Sequence, residues 1–196
     1  MGNETQTTTV LLVGVGGQGT ILAGDLLAKA AAASGYDVKI SEIHGMSQRG
    51  GSVSTVVRFG EHVASMICDE GCADVIVSFE AIEALRAQQF LKRDGGVLFV
   101  NDETISPVSV AIGNATIPDD VSTRLDELNA VRIPAGHIAR SANSPKSTNV
   151  VLMGALSTAL PFDDEVWRDT ISKRVPPKTV EANLAAFDAG KQSARA

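Results

Sequence analysis

The sequence predicts an α/β domain in which a mainly parallel sheet is flanked by helices. Three observations lead to this fold class. Short aliphatic runs alternate with helix-length segments along most of the chain, which is typical of strands joined by crossover helices. A glycine-rich turn stands between the first of these runs and the first helical segment. The stretch from Asn149 onward contains only helical patterns, so we expect a helical C-terminal end.

The opening of the chain is the best-defined strand–turn–helix–strand unit. Val10–Val13 is an aliphatic run after a polar lead and predicts a buried strand. The glycine turn follows, and Thr20–Ser34, rich in Ala and Leu, predicts a helix. Gly35 suits the C-terminus of that helix. Tyr36–Ile40 is then interpreted as the second strand.

The next segment departs from simple alternation and predicts an antiparallel β-hairpin. Ser41–Gly51 is interpreted as a loop. Ser52–Arg58 is β-branched and alternating, as a strand would be. We expect a turn at Gly60-Glu61, after which His62–Ile67 returns as the antiparallel partner. A hairpin therefore stands where a second crossover helix is otherwise expected.

The remaining elements alternate again before the helical end, in a Rossmann-like or flavodoxin-like arrangement. The interval 101–118 is a loop or an edge strand. Further strands are predicted over Val75–Ser78, Val97–Val100 and Val131–Pro134. Helices are predicted over Phe79–Arg93, Val121–Leu128, Ile138–Ala142, Asn149–Leu160, Asp163–Arg174 and Thr179–Ala189. At 196 residues, with no linker or repeat, the chain is expected to be one domain over residues 1–196.

Composition excludes several classes of partner. The formal net charge is -6, so no overall positive field attracts nucleic acid or anionic lipid. The apolar run Val150–Leu160 is shorter than the roughly 20 residues that span a bilayer. Met1–Thr9 is polar and lacks the basic start of a signal peptide. We expect a cytoplasmic protein with no nucleic-acid and no membrane partner.

Motifs for self-contained catalysis are missing, and no catalytic residue is predicted. The two cysteines, Cys68 and Cys72, are too few for an iron–sulfur cluster, which takes about four, and their spacing is not C-x-x-C. We interpret them as reduced thiols and expect no metal site. The sequence also lacks a thiamine diphosphate–magnesium pattern, a serine nucleophile elbow, an H-E-x-x-H motif and a Walker lysine.

The glycine-rich turn Gly14-Val15-Gly16-Gly17-Gln18-Gly19 matches G-x-G-x-x-G between a strand and a helix. Glycines there let the backbone approach a phosphate at the helix N-terminus. Glu42, just past the second strand, is placed to hold a ribose hydroxyl. The glycines equally suit a sharp turn with close helix–sheet packing and no ligand. The amide of Gln18 suits a ligand or a partner chain. The candidate binding residues of the turn are Gly14, Gly16, Gly17, Gln18 and Gly19.

The loop after the second strand is the other candidate site. It lies at the carboxyl end of a strand, where α/β sheets bind ligands. Arg49 suits a bidentate contact with a phosphate or carboxylate, and His44 titrates near neutral pH in its ordinary form. A structural histidine is the alternative for His44. The candidate binding residues of this loop are His44, Ser47, Gln48, Arg49, Gly50 and Gly51.

Taken together, these segments resemble the gamma-type domain of the 2-oxoacid:ferredoxin oxidoreductases, and most of all its indolepyruvate branch. The resemblance rests on four stretches and covers nearly the whole chain. They are Val13–Gly19, Glu42–Gly51, Ala73–Glu80 and Asn149–Leu156.

The resemblance implies a partner-dependent enzyme. The family converts a 2-oxoacid, coenzyme A and oxidised ferredoxin into acyl-CoA, carbon dioxide and reduced ferredoxin; the indolepyruvate branch acts on aryl pyruvates. Thiamine diphosphate, magnesium and the iron–sulfur clusters are expected on a large alpha subunit, and ferredoxin is reached through the complex. This chain would bind no cofactor alone, with coenzyme A as a possible substrate at the glycine turn and the Arg49 loop.

Two other functions stay open at this point. Gly14, Gly16, Gly19 and Glu42 also suit an NAD- or FAD-binding Rossmann oxidoreductase, although the hairpin after the second strand counts against it. A non-catalytic interaction module, whose loops only bury against a partner chain, is the third interpretation.

Overall fold

A computed structural model describes residues 7–44, 51–103, 110, 113 and 116–195. Six strands form one sheet in the order β2-β3-β1-β4-β5-β6. These are β1 (Thr8–Val15), β2 (Asp37–His44), β3 (Ser52–Gly60), β4 (Val75–Ser78), β5 (Val97–Asn101) and β6 (Val131–Ile133). Strands β1, β4, β5 and β6 pair in parallel, and β3 runs antiparallel to both of its neighbours. The predicted mainly parallel α/β sheet is confirmed.

Seven α-helices lie in the described part of the chain. They are α1 (Thr20–Ala33), α2 (Ala81–Ala87), α3 (Val121–Glu127), α4 (Ala135–Ser141), α5 (Thr148–Ser157), α6 (Asp164–Arg174) and α7 (Val180–Ser193). Short 3₁₀ turns follow α2 at Gln88–Phe90 and precede α7 at Pro177–Thr179. None of the helices in these ranges has the length and apolarity needed to cross a membrane.

The predicted strand Ser52–Arg58 lies within β3, but its predicted partner is wrong. Residues 62–67 form no strand, and β3 instead pairs with β2 on one side and β1 on the other. Side chains hold the following segment in place: Val63 N–H donates to Asp37 Oδ2 at 2.8 Å. The guanidinium of Arg58 donates to the carbonyls of Ser65 and Ile67. The segment is thus anchored without a ladder of backbone bonds.

Alternation along the strands divides the core between the two faces of the sheet. Val10, Leu12 and Val57 pack into the larger cluster, which includes α1 and the C-terminal helices. Leu11 and Val13 pack into the smaller cluster with α2 and α3. The helical end is therefore a layer of the core on the α1 face.

Helix α2 begins later than predicted because a side chain caps it. The predicted helix started at Phe79, but Glu80 is extended and its Oε2 accepts from the N–H groups of Ile82 and Glu83 at 2.8 and 3.0 Å. An acidic N-cap satisfies donors that the first helical turn leaves unpaired. Phe79 and Glu80 therefore stay at the end of β4.

Candidate functional site

The carboxyl ends of five strands meet at one edge of the sheet. Strands β1, β2, β4, β5 and β6 run in the same direction, because β3 is antiparallel to both β1 and β2. The glycine turn follows β1 at this edge, in the middle of the sheet. Open α/β sheets bind their ligands at this edge, so the candidate site is built here.

Positive φ angles shape the glycine turn. Gly17 has φ 106° and Gly19, which precedes α1, has φ 89°. Glycine adopts this left-handed region without the steric cost that other residues meet. Within the described residues no side chain caps α1, and its first turn carries no acidic residue. The N-terminus of α1 is therefore suited to an anion.

Gln18 folds back beneath the turn instead of pointing to solvent. Its Oε1 accepts from Val15 N–H at 2.6 Å, and its Nε2 donates to the carbonyl oxygen of Phe79 at 2.9 Å. A β-carbon on Gly14 would lie 2.7 Å from Gln18 Oε1 and 2.8 Å from the β-carbon of Phe79. Gly14 thus leaves the space that the amide occupies, and the amide of Gln18 bonds within the chain.

A cavity of about 330 Å³ opens beside the turn on the α1 face of the sheet. It brings Gly16, Gly17 and Gly19 together with Glu42 and His44, which the sequence singled out separately. Its lining consists of Gly16, Gly17, Gly19, Thr20, Ile21, Glu42, Ile43, His44, Val53, Ser54 and Thr55. Among these described lining residues there is no lysine or arginine.

The predicted loop is described only at its ends. His44 ends β2 and lines the cavity, and Gly51 precedes β3. The carbonyl of Gly51 accepts from Gly16 N–H at 2.8 Å, which ties the loop to the glycine turn. The candidates Ser47, Gln48, Arg49 and Gly50 lie outside the described residues.

Sequence reasoning missed two asparagines at this edge. Asn149, at the start of α5, is buried, and its Nδ2 would lie 3.0 Å from a β-carbon on Gly19. Asn101 ends β5, is 1% exposed and donates to the carbonyl of Phe79 at 3.2 Å. A polar residue directly after an aliphatic strand is the signal that could have found Asn101.

The strand order differs from that of a Rossmann dinucleotide-binding domain. In that arrangement the strands before and after the first helix are neighbours. Here β3 lies between β1 and β2. Glu42 therefore faces the glycine turn across an intervening antiparallel strand, and the topological basis for an NAD or FAD site is missing.

A second cavity, of about 290 Å³, lies on the opposite face of the β2–β3 hairpin. Its floor is apolar and includes Leu11 and Val56, and Ile43, Met66 and Ile67 stand at its rim with 62%, 46% and 65% of their surface exposed. The described exposed large hydrophobic residues all lie near this hairpin: Ile21, Ile40, Ile43, Met66 and Ile67. Exposed apolar side chains therefore occur on both faces of the hairpin, among polar ones.

The cysteines lie away from the glycine turn. Cys68 is half-buried beside the second cavity, and Cys72 is exposed beyond a turn. Burial raises the pKa of the Cys68 thiol to about 11, and the neighbouring Cys72 adds to the shift. Over the described ranges, no three His, Cys, Asp or Glu side chains come together in a way that suits a metal ion.

Residues 9–193 match the family model of pyruvate ferredoxin/flavodoxin oxidoreductase. The chain is 43% identical to the indolepyruvate oxidoreductase subunit IorB of Thermococcus kodakarensis, over 95% of each chain. That identity extends over almost the full length of both proteins and is not confined to the glycine turn.

Solved structures share the fold. The gamma subunit of a keto/oxoacid ferredoxin oxidoreductase from Geobacter sulfurreducens superposes with a TM-score of 0.70 at 24% identity, covering 96% of this chain and 98% of that one. A 2-oxoglutarate:ferredoxin oxidoreductase from Magnetococcus marinus, solved with 2-oxoglutarate, coenzyme A and succinyl-CoA bound, gives a TM-score of 0.74 at 24% identity. The match covers 98% of this chain and 32% of that longer chain.

Proposed function

The chain belongs to the pyruvate ferredoxin/flavodoxin oxidoreductase family, and we propose that it is the small subunit of a ferredoxin-dependent 2-oxoacid oxidoreductase acting on indolepyruvate and other aryl pyruvates. The observation that carries this proposal is the 43% identity to an indolepyruvate oxidoreductase subunit over 95% of both chains. The overall reaction joins a 2-oxoacid and coenzyme A to give acyl-CoA and carbon dioxide. It releases two electrons to ferredoxin and one proton.

Coenzyme A is the ligand that we assign to the glycine-turn cavity. Its diphosphate suits the uncapped N-terminus of α1, where backbone N–H groups and the helix dipole favour an anion. The 2′-hydroxyl of its 3′-phosphorylated ribose is the donor that we assign to the carboxylate of Glu42 on the cavity wall. The 2-oxoglutarate:ferredoxin oxidoreductase from Magnetococcus marinus, which shares this fold and was solved with coenzyme A bound, supports this choice of ligand.

The cation that complements the diphosphate is assigned to Arg49. The described lining of the cavity contains neither lysine nor arginine, and Arg49 stands two residues before Gly51, whose carbonyl bonds the turn. A guanidinium binds phosphate oxygens in a planar, bidentate fashion. We therefore assign coenzyme A contacts to the turn and to the loop 44–51 together.

The redox and decarboxylation chemistry is assigned to a partner subunit. Two cysteines do not supply the roughly four thiolates of an iron–sulfur cluster, and the sequence has no thiamine diphosphate pattern. Thiamine diphosphate, magnesium and the clusters therefore belong to the large subunit in this proposal. Thiamine diphosphate would carry the acyl carbanion chemistry, while this chain presents the thiol of coenzyme A and helps to exclude water.

The β2–β3 hairpin is the surface that we assign to the partner. Ile21 and Ile43 border the glycine-turn cavity, and Met66 and Ile67 extend the apolar area around the hairpin. A large exposed apolar patch usually marks an interaction site. Because the coenzyme A thiol has to reach a group on the partner, the contact surface adjoins the cavity.

The test is reconstitution with the large subunit under anaerobic conditions. We expect ferredoxin reduction to require both subunits, coenzyme A and an aryl pyruvate, with indolepyruvate preferred over 2-oxoglutarate in kcat/KM. The small subunit alone should turn over neither acid. A complex that prefers 2-oxoglutarate would contradict the substrate assignment. Tight binding of NAD instead of coenzyme A would contradict the whole proposal.

A further inference from the structure

Two side-chain amides at the carboxyl edge of the sheet meet at one carbonyl oxygen. Gln18 Nε2 donates to the carbonyl of Phe79 at 2.9 Å, and Asn101 Nδ2 donates to the same oxygen at 3.2 Å. A carbonyl oxygen has two lone pairs and accepts both bonds. Phe79 directly follows β4, which lies between β1 and β5 in the sheet. The two amides therefore bond the end of β4 from opposite sides.

The oxygens of the same two amides extend the connection. Gln18 Oε1 accepts from Val15 N–H, the last residue of β1, at 2.6 Å. Asn101 Oδ1 accepts from Ala135 N–H, at the start of α4 just after β6, at 3.1 Å. The ends of four parallel strands are thus joined in one series. We call it the amide bridge, and it consists of Val15, Gln18, Phe79, Asn101 and Ala135.

Burial makes the orientation of both amides specific. Phe79 and Asn101 are each 1% exposed, and Gln18 is half-buried. Each amide has its oxygen on an N–H group and its nitrogen on a carbonyl, so rotating it by a half-turn would set like groups against each other. A buried polar group left without a partner is costly. The amide bridge therefore fixes the glycine turn relative to β4, β5 and β6.

We propose that the amide bridge holds the glycine turn in the conformation that binds coenzyme A, with Gln18 and Asn101 as positioning residues. The inference rests on the proposed function. Asn101 does not line the glycine-turn cavity, so its influence on coenzyme A passes through the Phe79 carbonyl and Gln18. That remote effect distinguishes the proposal from a direct ligand contact by either amide.

The test uses substitutions that each remove one donor. Gln18→Glu and Asn101→Asp keep an oxygen for the N–H group but place a second oxygen against the Phe79 carbonyl. In the reconstituted complex we expect each to raise the KM for coenzyme A about tenfold. Values of kcat and of KM for the 2-oxoacid should change less than twofold. Because either change interrupts the same series of bonds at the Phe79 carbonyl, the double variant should raise KM for coenzyme A little more than either single variant.

Controls separate the bridge from general effects. Asn101 Nδ2 also lies 3.3 Å from Glu103 Oε2, so Asn101→Asp would set two carboxylates against each other. The double variant N101D/E103Q removes that repulsion and should still show the raised KM for coenzyme A. Gln89→Glu adds the same charge at an exposed position beyond α2 and should change nothing. Gln18→Met keeps the length of the side chain without a donor and replaces Q18E if that variant does not fold.

The outcomes decide between three cases. A wild-type complex that turns over without coenzyme A overturns the proposed function and this inference with it. A coenzyme A-dependent wild type with unchanged KM in Q18E and N101D overturns the inference alone. So does a raised KM in Q18E with none in N101D, because the effect then stays local to the turn. Hydrogen exchange provides an independent readout, with Val15 N–H expected to exchange faster in N101D.

Discussion

The backbone N–H of Gly16 donates to the carbonyl oxygen of Gly51 at 2.8 Å. This bond ties the glycine turn after β1 to the residue that closes the loop 44–51. Two segments that are distant in sequence therefore meet at one cavity. A ligand bound by the turn would therefore lie beside Gly51, the described C-terminal end of that loop.

Replacing Arg49 by alanine should weaken coenzyme A binding. If Arg49 contacts the phosphates of coenzyme A as proposed, the change removes a charge-assisted hydrogen bond, which contributes roughly 1.5–3 kcal/mol. At 1.4 kcal/mol per decade this is about a 10- to 150-fold rise in the apparent Kd. Arg49→Lys should restore only part of the affinity, because an ammonium lacks the planar fork.

The measurement is the coenzyme A dependence of acyl-CoA formation by the reconstituted complex, with 2-oxoacid decarboxylation followed in parallel. Unchanged coenzyme A dependence together with weaker subunit association would identify Arg49 as an interface residue instead.

Strand positions were predictable from the sequence, and one strand partner was not. Aliphatic runs such as Val75–Ser78 correctly marked the buried strands. The alternation of Ser52–Arg58 identified a strand, but a period of two shows which face is buried and not which strand is the neighbour. The pairing of β3 with β1 joins segments that α1 and β2 separate in sequence, and side chains of Asp37 and Arg58 anchor the segment after β3.

The candidate site was predictable where a motif marks it. The spacing of the glycine turn marks it in the sequence. The sequence predicts Glu42 and His44 in a loop after the second strand, whereas the structure places both within β2, where they line the same cavity as the turn. Asn101 and Asn149 were missed, because an asparagine beside a strand or helix end is an ordinary turn or cap residue. Only the parallel register brings Asn101 to Phe79, and only helix packing brings Asn149 to Gly19.

A methyl group at Gly154 should destabilise the fold. Helices α5 and α7 pack closely here, and a β-carbon on Gly154 would overlap the carbonyl oxygen of Phe187. Gly190 meets the carbonyl of Val151 in the same way from the other helix. Because backbone has to move, we expect Gly154→Ala to lower the free energy of unfolding by at least about 2 kcal/mol. Thermal and urea unfolding would measure this, with Gly190→Ala expected to behave alike. A Tm within a degree of wild type in both variants would contradict the packing described here.

The reactivity of the Cys68 thiol should keep rising with pH well above neutrality. Its pKa is raised to about 11, first by burial and then by the neighbouring Cys72. Since the thiolate is the nucleophile, its labelling by iodoacetamide should rise about tenfold per pH unit from pH 7 to pH 10. The variant Cys72→Ser isolates this thiol and leaves burial, the larger cause of the shift, in place; mass spectrometry measures its alkylation. The same variant in denaturant should level off near the ordinary cysteine pKa. A plateau below pH 9 in the folded protein would disprove the shift.

An acidic residue at Ile67 should weaken association with the large subunit without unfolding this chain. Ile67 is 65% exposed at the rim of the second cavity, so the isolated subunit gains little from its side chain. Burying an isoleucine against a partner contributes roughly 1.5–3 kcal/mol, so Ile67→Asp should raise the dissociation constant of the complex at least about tenfold. Titration of labelled small subunit with large subunit measures this dissociation constant, and the Tm of the isolated chain should stay within about two degrees of wild type.

Ala185→Asp, an exposed change on α7, is the matched control and should bind normally. Equal affinity for the Ile67→Asp variant and the control would mean that the partner binds elsewhere, and the hairpin assignment would fail.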